Sequence, residues 1–180
     1  LSAGVVIILG FANLLADGFS MAVSNYLGTR AENQHRIKVR EMEREEIEKF
    51  PQGEEEEVRQ IFARKGFKGQ LLEDAVEVIV SDQEKWIDTM LQEEHGMSLN
   101  EHSAFKAGLA TFGAFCLVGF IPLITYVVNW IVPGVVPDPF IWSAVMTGVA
   151  FFWVGAVKGK FVEQYWLLSG LETVGVGGIA

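Results

Sequence analysis

The chain has 180 residues, half of them apolar, and its 23 acidic and 14 basic side chains leave a formal charge of -9 with a mean hydropathy of +0.28. Residues 30 to 102 hold 19 of those acids and 11 of those bases, a net of -8, so the flanks are nearly uncharged. This segregation excludes a disordered chain, a basic nucleic-acid binder and a uniform globular fold, and leaves an all-α polytopic membrane protein with a charged helical domain between its spans.

A bilayer core takes roughly 20 mainly apolar residues as helix, and Leu1 to Gly28 is the first stretch to meet that length. The chain opens in it without Met, a basic n-region or a cleavage site, so it does not read as a signal peptide, and truncation is expected at this end. Asn13, Asp17, Met21 and Ser24 recur at spacings of four, four and three, giving this span one polar face. An ionisable group in a span normally faces a bundle interior, a cavity or a partner, so Asp17 reads as an ion or proton site. Met21, one turn on, reads either as a thioether donor to a transition metal or as plain packing.

Arg30, Arg36, Lys38, Arg40 and Arg44 follow the first span, which places the acidic segment on the cytosolic side. Thr29 to Phe50 contains no Pro or Gly, so the span is expected to run on as a helix until Pro51-Gln52-Gly53 ends it. Glu54 to Lys65 reads as a second helix stopped by Gly66, and Gly69 to His95 as further helix with a break and cap near Ser81-Asp82. The buried faces are marked by Ile37, Met42, Ile47, Val58, Ile61, Leu71, Leu72, Val76, Val78, Trp86, Ile87 and Leu91.

Residues three or four apart share a helix face, so Glu43 with Glu46, Glu54 with Glu57, and Met90 with Glu94 each point the same way. If the helices converge, five carboxylates and a thioether meet as ligands for a divalent ion. The plainer reading is that a run such as Glu54-Glu55-Glu56-Glu57 is a solvated helix start favoured by the helix dipole. A ferritin-like di-iron site needs two Glu-x-x-His motifs, and only Glu32-Asn33-Gln34-His35 fits. The three histidines therefore read as solvent-facing or interface residues rather than ligands.

Ala104 to Val132 and Phe140 to Val157 are the next spans, and a fourth apolar stretch opens near Phe161 and is still running at Ala180. The fourth is expected to be incomplete here. No Lys or Arg lies between Asn129 and Pro139, whereas Lys158 and Lys160 follow the third span, so the basic side alternates as successive crossings require. Trp130 and Trp142 flank the turn Pro133 to Pro139 as an aromatic belt would. Gly108, Gly113 and Gly119 suggest close helix approach, and Pro122 a kink. Cys116 reads as inert packing and Lys106 as snorkelling to the interface, while Glu172 lines the same polar path as Asp17 or sits near the surface.

The strings Ala12-Asn13-Leu14-Leu15-Ala16-Asp17-Gly18-Phe19-Ser20-Met21-Ala22, Lys106-Ala107-Gly108-Leu109-Ala110-Thr111-Phe112, Ile121-Pro122-Leu123 and Ser169-Gly170-Leu171-Glu172-Thr173, spaced around the acidic insert, resemble the vacuolar iron transporter family. The resemblance covers essentially the whole chain. It implies a five-span homodimer that moves Fe2+, and also Mn2+ or Co2+, out of the cytosol in exchange for protons. It implies metal binding on Glu43, Glu46, Glu54, Glu57, Met90 and Glu94, and a translocation role for Met21. The family's first span carries an aspartate of the metal path; that span is not in this sequence, so a half-site on Asp17 and Met21 stands without its counterpart.

The resulting reading has residues 1–29 as a transmembrane helix, 30–102 as a cytosolic metal-binding domain and 103–180 as further spans. It is a proton-coupled secondary antiporter, not an enzyme, with no cofactor; Fe2+, and by extension Mn2+, Co2+ or Zn2+, is its substrate, and Asn13, Asp17, Met21 and Glu172 line its path. Protons and metal would compete for the same carboxylate oxygens, giving a route to exchange. Its partners are divalent ions, protons, the lipid bilayer and a second copy, without nucleic acid. Short connections favour a bacterial or archaeal cell membrane over a vacuolar one. The rivals are a membrane-anchored acidic interaction module without transport, and a transporter of a hard ion such as magnesium or calcium, which would favour all-oxygen sites.

Overall fold

The computed structural model describes residues 2–179. Among them the chain forms seven helices and no strand: α1 (Ala3–Lys49), α2 (Pro51–Arg64), α3 (Gln70–Val80), α4 (Gln83–Glu93), α5 (Ala104–Ile131), α6 (Pro139–Phe161) and α7 (Trp166–Ile179). They divide into two compact units, one made of residues through Ser24 and from Gly108 onward, the other of Asn25–Ala107. Helices α1, α5 and α6 are each long and apolar enough to cross a membrane.

In the first unit, small residues let helices approach. A Cβ on Gly119 of α5 would run into the side chain of Leu14, and one on Gly18 of α1 would lie 3.1 Å from the Phe115 ring. Gly113 meets open space, so the close approach expected of the α5 glycines is made at Gly119 and not there. Pro122 lies inside α5 without ending it. Thr125 Oγ1 donates to the Pro122 carbonyl at 3.1 Å and the Pro139 carbonyl at 3.2 Å, joining α5 to the start of α6. Between them Asn129 Oδ1 accepts from the amides of Gly134 and Val136, and Asp138 caps α6 by accepting from Phe140 and Ile141.

Helices α6 and α7 meet through Gly155, Gly159, Ser169 and Gly170. Ser169 is buried, and its hydroxyl donates to the Gly155 carbonyl at 2.8 Å. A Cβ on Gly155 would sit 2.5 Å from the Ser169 carbonyl oxygen, closer than real atoms come. The chain leaves most of the apolar surface here uncovered: Phe19, Leu117 and Trp153 are all exposed. In water that would be costly, whereas lipid tails accept it.

The second unit has its own core, built from Val39 and Ile47 of α1, Val58 and Ile61 of α2, Val76 and Ile79 of α3, and Trp86, Ile87, Met90 and Leu91 of α4. Helix α1 passes the 20 residues a bilayer takes and runs to Lys49, as the absence of Pro and Gly from Thr29 to Phe50 predicts. Pro51-Gln52-Gly53 belongs to α2 rather than to a break before it: Pro51 opens the helix, where its missing N–H has no partner to lose. Helix α2 ends before Gly66, whose φ of 100° is open to glycine, and Asp82 caps α4 through the amides of Glu84 and Lys85.

Four expected core residues, Ile37, Met42, Leu71 and Val78, are exposed. On α1 the buried stripe is Val39, Glu43 and Ile47, each four residues apart, so the helix is rotated away from Ile37 and Met42. Apolar periodicity marks only Ile47 of this stripe, because a glutamate stands at its centre.

Replacing Gly155 by Leu is expected to destabilise the α6–α7 pairing by about 1–3 kcal/mol, the usual cost of overpacking. Gly148→Ala, where a Cβ meets open space, should be close to neutral. Thermal unfolding of the detergent-solubilised variants checks both.

Candidate metal centre

The second unit gathers its glutamates at the junction of α1, α2 and the end of α4. Two arginines four residues apart on α1 hold α4 in place: Arg40 pairs with Asp88 at 2.6 Å and Glu84 at 2.5 Å, and Arg44 pairs with Glu84 at 2.8 Å. The two guanidinium groups hold the Glu84 carboxyl below its ordinary range. That clamp sets the register in which Met90, Glu94 and His95 arrive beside α1.

The run Glu54 to Glu57 is sorted by helix geometry. Arg59 collects Glu55 and Glu56 at 2.8 and 2.7 Å and reaches Glu73 of α3 at 3.3 Å. For those two residues the plain reading of solvated helix-start acids holds. Glu54 instead is buried and lies with Glu43 and Glu46, their carboxylate oxygens all within 4.8 Å of one another. Glu57 is exposed, yet Glu94 and Glu46 act on it after burial does, raising its pKa.

Glu43 is the centre of this arrangement. It is 1% exposed, its Oε1 lies 2.7 Å from His95 Nε2, and its Oε2 is buried without any hydrogen-bond partner. It belongs to two ligand groupings, one with Glu46 and Glu54 and one with Glu94 and His95. Burial pushes the Glu43 carboxyl above its ordinary range, against the hydrogen bond from His95. Glu54 is pushed from 4.5 to about 7, first by burial and then by the charges of Glu57, Glu43, Glu46 and Glu94. Glu43, Glu54 and Glu57 thus each feel the charges of Glu46 and Glu94, and a divalent cation among them would remove both the repulsion and the unpaired oxygen.

Met90 is fully buried in the core beside Ile87 and Leu91, so packing accounts for its position. His95 corrects the expectation that the histidines face solvent: it is half-buried and bonded to Glu43. Local spacing carries no signal for His95, because its partner Glu43 is 52 residues away in sequence. Of the path residues, Asn13, Asp17, Met21 and Glu172 are all exposed. Among the described residues, no group of three or more close ligand side chains includes Asp17 or Glu172. Asn13 lines a groove of about 470 Å³ with Tyr126, Ser143 and Thr147.

Fold and site together define an all-helical membrane protein with several apolar helices and a separate helical unit that carries a buried carboxylate cluster. The chain belongs to the VIT family, whose pattern it matches over residues 1–180. It is 31% identical to vacuolar iron transporter 1 of Arabidopsis thaliana over 99% of this chain and 70% of that protein. It is similar to the vacuolar iron transporters of Toxoplasma gondii, at 31% identity over 91% of this chain, and Plasmodium berghei, at 30% over 97%. It spans 56% and 66% of those two proteins.

Because Glu54 and Glu43 hold protons in the folded chain at pH values where the unfolded chain has lost them, stability should fall as pH rises from about 4.5 to about 7. Glu54→Gln is expected to flatten that slope, and Mn2+ to raise the melting temperature more at pH 8 than at pH 5. Melting curves followed by circular dichroism across that range test this.

Proposed function

We propose that this chain serves the movement of divalent iron across a membrane, its acidic unit capturing the ion before it crosses. The observation that carries the reading is the Glu43 carboxylate, buried with one oxygen unpartnered among Glu46, Glu54, Glu57 and Glu94. Membership of the VIT family and the iron transporters it is similar to support iron as the substrate. Oxygen donors also suit Mn2+, and Co2+ and Zn2+ are further substrates of the same reading. No bond chemistry and no resident cofactor are proposed.

Proton exchange follows from the same oxygens. A proton on Glu54 and an ion on Glu54 exclude each other, so a pKa of about 7 places the competition near neutral pH. The acidic unit is proposed to face the cytosol, on the strength of the basic residues from Arg30 to Arg44 that follow the first apolar stretch. Asn13, Asp17, Met21 and Glu172 are proposed to line the path, with a second copy of the chain covering their exposed faces. The relatives named above are eukaryotic and vacuolar, so a bacterial or archaeal cell membrane draws no support from them.

Anaerobic calorimetric titration of Fe2+ and Mn2+ into the detergent-solubilised chain tests capture. Changing Glu43, Glu46, Glu54, Glu57 and Glu94 together to Gln should abolish binding, since loss of even one supporting group at a metal site costs roughly 10- to 100-fold. Unaltered binding in a folded variant overturns the reading in favour of an acidic interaction module. Affinity of the unmodified chain should weaken as pH falls through about 7, where Glu54 takes up its proton.

In vesicles, Met21→Leu should lower Fe2+ movement while leaving that calorimetric binding intact.

A further inference from the structure

We infer that His95 is a nitrogen ligand of the captured ion, making the Glu43–Glu94–His95 group a mixed nitrogen and oxygen site that favours Fe2+, Co2+ and Zn2+ over Mn2+ and Mg2+. The inference rests on the metal-capture reading above and deepens it. Three side chains, from α1 and from the end of α4, bring one donor atom each within 4.8 Å of the others. His95 Nε2 is 2.7 Å from Glu43 Oε1 and 3.9 Å from Glu94 Oε2. Donors bound to one ion at about 2.0–2.2 Å stand roughly 2.9–3.4 Å apart, so donor separations within 4.8 Å come into range by side-chain movements of about an ångström or less.

The orphaned oxygen of Glu43 argues for an ion rather than a plain His–Glu pair. A histidine recruited to satisfy a buried carboxylate would do so only in part here, because His95 reaches Oε1 and Oε2 stays buried without a partner. An ion held by Glu43 takes up that unused acceptor capacity, and an ion on His95 replaces the hydrogen that joins it to Glu43. The backbone holds the imidazole in place. The His95 amide donates to the Met90 carbonyl at 3.3 Å, and the Met97 amide to the Leu91 carbonyl at 2.8 Å, so the chain curls at the C-terminal end of α4. A helix C-terminus favours positive charge. The imidazole is also what sets the preference, because nitrogen ligands suit Fe, Co and Zn, while Mn and Mg take carboxylate, carbonyl and water.

The test uses the detergent-solubilised chain loaded with Zn2+ or Co2+ and X-ray absorption at the metal edge, where imidazole carbons give a distinct outer-shell signal. That signal is expected in the unmodified chain, retained in a His35→Gln/His102→Gln variant and lost in His95→Gln. Affinity of His95→Gln for Zn2+ and Co2+ should fall by about ten-fold or more, with Mn2+ changed by less than about two-fold. An all-oxygen spectrum in the unmodified chain, or a signal that disappears with His35 and His102, overturns the role of His95. That result leaves metal capture standing provided Glu43→Gln still abolishes binding. Binding that survives Glu43→Gln and Glu54→Gln alike overturns the capture reading and this inference with it. The spectra of the unmodified chain and the His35/His102 variant decide even where His95→Gln does not fold.

Discussion

A carboxylate at the centre of a buried helix stripe is the constraint on which the acidic unit depends. Removing an ionised group from water costs several kcal/mol unless it is paired, and Glu43, 1% exposed, is paired through one oxygen only. The unit answers with His95 on one side and raised carboxyl pKa values on the other. A core of this size, ten buried apolar residues from Val39 to Leu91, has no need of a glutamate for packing. Its presence there is intelligible as a binding group whose unfavourable burial a cation reverses.

The rest of the unit arranges charge so that this burial persists. Arg40 and Arg44 hold α4 through Glu84 and Asp88, and Arg59 ties α2 to α3 while removing Glu55 and Glu56 from the cluster. Surface ion pairs of this sort contribute little stability singly. Their effect here is positional: they spend the basic residues on peripheral acids and leave Glu54 and Glu57 facing Glu43, Glu46 and Glu94. In a segment with a net charge of -8, that sorting decides which acids repel one another.

The apolar unit works by a different rule. Where lipid is as apolar as a side chain, helices associate by fit, and Gly155, Gly159, Ser169 and Gly170 bring α6 and α7 together with a hydroxyl-to-carbonyl bond at the seam. The polar face of α1, Asn13, Asp17 and Met21, is the exception, because it is exposed on a helix whose neighbouring exposed residues are apolar. An ionisable side chain in such a place is costly against lipid. Together with the family assignment, that cost is the physical content of the proposed path.

The sequence by itself determined the helical class, the three helices long and apolar enough to cross a membrane, the continuation of α1 to Lys49 and the family, because these follow from hydropathy, from the placing of Pro and Gly, and from ordered strings of residues. Helical spacing also pairs Glu43 with Glu46 and Glu54 with Glu57, since residues three and four apart share a face whatever the fold. Which face turns inward is another matter. Burial of Val39 in place of Ile37, the approach of Glu54 to Glu43 and Glu46, and the meeting of Glu43 with a histidine 52 residues away were decided by tertiary structure alone. Rotation of α1 and the register of α4 depend on side chains brought from separate helices, and local periodicity carries no information about those contacts.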